Sequence, residues 1–198
     1  EKYRSDLAKK LNENIKKHGT RVTTGFIGTT FLMYALADNG YFDTACRLLL
    51  NEQFPGWLYE VDMGATTVWE RWNSLMPDGT PNPNGMNSYN HYAYGSVMEF
   101  VYRRIAGIEA AAPGFEKAEI CPRPCKGLAH VHAEYDSVHG RIGAGYAEKD
   151  GEIVYTAEIP EGMEAYLSLP GEERVPLAAG KHTFVRRLPV QEEEKPQK

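Results

Sequence analysis

The sequence predicts an α-then-β chain: helical hairpins first, then a small antiparallel β-sandwich. Three observations predict it. Apolar residues recur every three or four positions up to about residue 106, they alternate with polar ones from about residue 129, and a Pro113-Gly114 breaker lies between the two patterns. The boundary is placed near 112–115, giving a helical domain over 1–113, a β-sandwich domain over 114–190 and a disordered tail over 191–198, which includes the charged run QEEEKPQK from Gln191.

In the helical part, Tyr3, Leu7, Leu11 and Ile15 share a face and His18-Gly19 stops the first helix. A second helix is expected over about 26–38, between Thr24-Gly25 and Asn39-Gly40. A third starts near Phe42, buries Phe42, Ala45, Cys46 and Leu49, and ends before Pro55-Gly56. Short connections make such helices antiparallel neighbours. A last long helix is expected over about 90–106, with Arg103 and Arg104 near its C-terminus, where cations suit the helix dipole. Before it, MPDGTPNPNGMNSYN at 76–90 is too rich in Pro, Gly and Asn for regular structure, and a loop of that length in a compact domain is functional or disordered. In the β part, AHVHAEYDSV at 129–138 alternates, Lys149-Asp150-Gly151 signals a hairpin, and EIVYTAEIP alternates Ile153, Tyr155, Ala157 and Ile159 against polar partners. AYLSLP and HTFVRR supply further strands.

Composition narrows the function. With 42% hydrophobic and 25% charged residues the chain is globular, and its net charge of −5 gives no field to attract nucleic acid or an anionic membrane. The longest apolar stretch falls far short of the roughly 20 residues of a membrane span. The opening EKYRSDLAKK lacks an apolar leader segment, so the compartment stays unknown. Cys46, Cys121 and Cys125 are an odd, sparse set, and CPRPC lacks a second pair of zinc ligands. No G-x-G-x-x-G, P-loop or H-E-x-x-H pattern occurs, so neither cofactor nor metal is expected.

The stretch GATTVWERW at 64–72 carries the most chemistry. Glu70 is either half of a core ion pair with Arg71 or a carboxylate kept in a cleft for acid/base work. Burying a carboxylate costs several kcal/mol unless it is fully paired, and neighbours on an extended segment point in opposite directions, which weighs against the ion pair. Trp69 and Trp72 have flat apolar faces of the kind that pack on a sugar ring, and Trp57 adds another wall. His91, in NSYNHYAYG, is either a hydrogen-bonded residue at a helix start or a site residue that follows the long loop. Tyr59 and Asp62, in WLYEVDMG, are further polar groups upstream of Glu70.

TGFIGT at 24–29, GATTVWERW at 64–72 and MNSYNHYAYGSVMEFVYRRIAGI at 86–108 together resemble the C-terminal third of bacterial α-L-rhamnosidases, glycoside hydrolase family 78. The resemblance covers most of the chain. It implies the last helices of an (α/α)6 catalytic barrel, a β-sandwich behind them, and inverting removal of terminal α-L-rhamnose from glycosides or oligosaccharides. By the same resemblance Glu70 is the general base, and His91, Trp69, Trp72, Arg71 and Trp57 are substrate-binding.

One departure matters. An (α/α)6 barrel has six helical hairpins, and only about four helices are legible here. The resemblance places the general acid in earlier helices that have no counterpart. The chain is therefore expected to be a fragment, inactive alone, whose partners are a rhamnose-containing glycoside and the remainder of the barrel, with self-association through exposed helix faces. The alternatives are a non-catalytic carbohydrate-binding or structural remnant, and another (α/α)6-barrel glycosidase or lyase.

Overall fold

The computed structural model describes residues 2–187. The tail expected at 191–198 lies outside them. Contacts divide the chain into a helical unit, running to Val101 and regaining Cys125–Gly127, and a β unit made of Tyr102–Pro124 and the residues from Leu128 onward.

The helical unit begins with α1 (Lys2–Lys17), α2 (Phe26–Ala37) and α3 (Phe42–Leu49). On α1 the buried positions are Ala8, Asn12 and Ile15, whereas Tyr3 and Leu7 of the expected apolar stripe are exposed. Thr44 of α3 donates its hydroxyl to the Asn12 side-chain carbonyl at 2.7 Å, so each buried polar group satisfies the other. Helix α2 is apolar nearly all round. It buries Leu32, Met33, Leu36 and Ala37 and leaves Ile27 and Phe31 exposed. Leu7, Ala8, Leu11, Phe31, Tyr34 and Ala35 line most of an open hollow of about 580 Å³.

Two elements differ from expectation. WLYEVD forms a short helix, α4 (Trp57–Asp62), in a segment for which no element was expected. The last helix begins at Ala93 rather than near residue 90, as a 3₁₀ turn (Ala93–Ser96), continues as α5 (Val97–Phe100), and widens into a π-helical turn (Val101–Ala106). The widening ends where the Gly107 N–H donates to the Tyr102 carbonyl, five residues back, at 2.9 Å.

The β unit contains two four-stranded sheets. One is the meander expected from the alternating segments: β3 (His130–Ser137), β4 (Gly140–Lys149), β5 (Glu152–Ile159) and β8 (Gly180–Arg187), all antiparallel. Its inner face carries Ile142, Ala144, Tyr146, Ile153, Tyr155, Ala157 and Ile159. The other orders β1 (Ile108–Ala110), β2 (Lys117–Ile120), β6 (Glu164–Leu167) and β7 (Val175–Leu177), with β2 and β6 parallel. Strands β1 and β2 were not anticipated, because at three and four residues they are too short to show a period. Gly107 precedes β1 at φ +84°, and a Cβ there would lie 2.2 Å from the Cys121 carbonyl carbon and the Pro122 nitrogen. Only glycine permits this approach of two backbones.

Candidate active site

Residues 67–70 run beside residues 88–91 as an irregular two-stranded ribbon. The Glu70 N–H donates to the Ser88 carbonyl at 2.9 Å, the His91 N–H donates to the Val68 carbonyl at 2.8 Å, and the Thr67 hydroxyl donates to the Tyr89 carbonyl. The long loop is thereby tied down at its end. Side chains fix it further, since Asn87 donates its amide and Tyr89 its hydroxyl to the Ser74 carbonyl.

Glu70 is half-buried. Its Oε2 accepts the Ser88 N–H at 2.8 Å, and among the described residues nothing donates to Oε1. Beside it opens a hollow of about 240 Å³ lined by Gly25, Phe26, Glu70, Arg71 and Tyr94. The ion-pair reading of the neighbouring arginine does not hold. Arg71 donates from Nε to the Met86 carbonyl at 2.9 Å and from Nη2 to the Gly85 carbonyl at 3.3 Å, so its charge is spent on holding the loop.

His91 lies just ahead of the 3₁₀ turn. Its Nδ1 accepts the Ala93 N–H at 3.3 Å, capping that turn, which leaves the neutral ring its proton on Nε2. The imidazole is sandwiched, with Phe26 stacked at 4.8 Å and 17° and Tyr92 at 5.3 Å and 8°. Phe26 meets Tyr94 edge-on at 5.2 Å, so one ring is shared between the Glu70 hollow and the histidine.

The tryptophans are placed differently from the open walls expected of them. Trp69, Trp72 and Trp57 are 3%, 8% and 8% exposed. Trp72 stacks on Tyr94 at 3.8 Å and 14°, and its indole N–H donates to the Thr24 carbonyl at 2.8 Å. Trp57 meets Trp72 edge-on and donates to the Tyr94 carbonyl. Trp69 meets Tyr89 edge-on. Two indole N–H groups bonded to backbone carbonyls and faces covered by other rings make these residues the backing of the hollow, not its lining. Of the further polar groups, Tyr59 is buried and donates to the Leu75 carbonyl, while Asp62 is exposed.

Sequence reasoning passed over Glu60. It occupies α4 on the same buried face as Trp57, is 3% exposed, and accepts the Trp69 N–H on Oε2 at 3.2 Å. Its Oε1 is buried without a hydrogen-bond partner. Burial pushes its carboxyl up to about 7, only partly offset by the Trp69 N–H. Tyr94 is also pushed up, by burial first and by the Glu60 charge second. The available signal was the helical spacing from Trp57 to Glu60, which a helix of six residues barely displays.

Comparison with known proteins agrees with this layout. Residues 1–105 match the bacterial alpha-L-rhamnosidase 6 hairpin glycosidase domain, and residues 107–184 match the bacterial alpha-L-rhamnosidase C-terminal domain. An alpha-L-rhamnosidase of Streptomyces avermitilis is 40% identical over 185 residues, covering 92% of this chain and 18% of its own length. One from Formosa agariphila is 33% identical, covering 93% of this chain and 20% of its own. The crystal structure of the Streptomyces avermitilis alpha-L-rhamnosidase complexed with L-rhamnose superposes with a TM-score of 0.87 at 34% identity, over 92% of this chain and 20% of that one. The chain thus spans about a fifth of the length of the relatives it matches. These matches show that the chain belongs to the bacterial α-L-rhamnosidase family and corresponds to a C-terminal portion of its members.

Proposed function

We propose that this chain carries the general-base half of an inverting glycoside hydrolase that removes terminal α-L-rhamnose. The observation that carries the reading is the state of the Glu70 carboxylate. Ser88 holds one oxygen, and the other is left toward a hollow beside Phe26 and Tyr94. An inverting enzyme uses such a group to draw a proton from water on one face of the sugar ring while a second carboxyl, about 6.5–9.5 Å away, protonates the leaving oxygen. The His91 Nε2–H is a donor for a sugar hydroxyl. Arg71 borders the hollow and fixes the loop, while Trp57, Trp69 and Trp72 act behind it, backing the Tyr94 ring.

Among the residues lining the hollow Glu70 is the one carboxylate. The chain alone is therefore proposed to be inactive, and the acid to come from the rest of a barrel that docks on the open faces of α1 and α2, where Leu7, Ile27 and Phe31 are exposed. The test is Glu70→Gln in a polypeptide that supplies the whole barrel. Abolished hydrolysis of an aryl α-rhamnoside with L-rhamnose binding retained supports the base role, and unchanged turnover removes it.

A further inference from the structure

Within the ribbon, partners from residues 88–91 meet Glu70 N–H and the Val68 carbonyl, while the Trp69 N–H between them faces away. That inward N–H is buried with its residue, and Glu60 is the group that receives it. The peptide ahead of Glu70 is thus fixed on one side by loop backbone and on the other by one side chain from α4. We propose that Glu60, in its protonated form, is a positioning residue that holds the Val68–Trp69 peptide, one residue ahead of Glu70, so that the Glu70 carboxylate stays on the Ser88 N–H.

The chemistry of the pocket requires the neutral form. The Trp69 N–H satisfies the carbonyl oxygen, Oε2, and the proton resides on Oε1, which has no partner. An ionised carboxylate there would leave a full charge on an unsolvated, unpartnered oxygen, far costlier than an unpartnered hydroxyl. Among the described residues no cation reaches Glu60. The titratable group that senses its charge is the Tyr94 phenol, which lines the Glu70 hollow, and Arg71 acts on that phenol in the opposite sense. Ionisation leaves the Trp69 N–H bond in place but puts an unsolvated charge on Oε1, and that strain falls on the inner anchor of the Trp69 peptide.

This inference gives the proposed base its support, so it rests on that reading for its meaning, but its test does not use turnover. The carboxyl carbons of Glu60 and Glu70 and the backbone amides of Trp69 and Ser88 are followed by NMR in the 198-residue chain from acid to alkaline pH. Glu60 and the Trp69 amide are expected to titrate together near 7, and the Ser88 amide, which donates to Glu70, to show the same step. Glu60→Gln removes the shared step from Trp69 and Ser88, and Glu70→Gln leaves the Trp69 step in place. A Ser88 amide blind to the Glu60 step overturns the positioning role and leaves Glu60 as a local structural bond. A Glu60 that titrates in the ordinary carboxyl range overturns the neutral form. Should Glu60→Gln fail to fold, the unsubstituted titration decides alone. Loss of the rhamnosidase reading would appear instead as unchanged turnover in Glu70→Gln.

Discussion

Ser88 and Glu70 bind each other twice: the Ser88 N–H donates to the Glu70 carboxylate, and the Glu70 N–H donates to the Ser88 carbonyl. The pair aims the side chain and the backbone with one partner. A glutamine at position 70 keeps an oxygen for the Ser88 N–H, so Glu70→Gln should change the stability of the 198-residue chain by less than about 1 kcal/mol in urea unfolding. Turnover in the whole barrel should fall by about 10²–10⁴ or more. A large stability loss would mark Glu70 as structural.

Glu60 makes stability depend on pH. Its folded pKa, about 7, is above the ordinary 4.5, so the folded state holds a proton the unfolded chain releases. The contribution is complete below about pH 4.5 and declines as pH rises through 7, by on the order of 3 kcal/mol in total. Urea midpoints measured from pH 4.5 to 8 should show this slope, and Glu60→Gln should flatten it.

Trp72→Ala removes a ring stacked on Tyr94 and a hydrogen bond to Thr24. The expected cost is about 3–5 kcal/mol, read from thermal or urea unfolding. A residue that merely faced sugar would leave the unfolding midpoint where it was.

Gly107→Ala meets a left-handed φ and a 2.2 Å clash with backbone at Cys121 and Pro122. Neither atom belongs to a flexible side chain that could move aside. The substitution should destabilise by about 4 kcal/mol or more, beyond the usual single-site range. Gly64→Ala, with open space around it, is the control for positive φ alone.

Leu7 and Phe31 are each 65% exposed beside an apolar hollow, which favours association of the isolated chain. Sedimentation of the purified chain should show concentration-dependent oligomers, and replacing both residues by lysine should shift the distribution to monomer.

Where a period was long, the sequence carried the fold. Leu7 to Ile15 marked α1, the run from Phe26 marked α2, and the alternation of Ile153 to Ile159 marked β5. What it hid was short or irregular. The six residues of α4 make barely more than one helical turn, and β1 and β2 are read only through pairing, with each other and, for β2, with β6. The start of the last helix was misjudged because His91 caps the turn through its ring while standing outside it. At the candidate site, the motif singled out Glu70 and His91, which the fold brings to either side of Phe26, but which face each indole shows depends on partners far along the chain, such as Thr24 for Trp72. Spacing along WERW holds no information about those.

The parallel pairing of Lys117–Ile120 with Glu164–Leu167 sets an order of assembly. Strands β3, β4 and β5 of the meander, which lie between them, close through tight hairpins of low contact order, so they can pair as soon as they are synthesised. Strand β2 must wait for the chain beyond Glu164, and until then a nascent molecule displays a bare strand edge with unpaired amides. The interval between those two events is when this protein is most open to mispairing with its neighbours on the polysome.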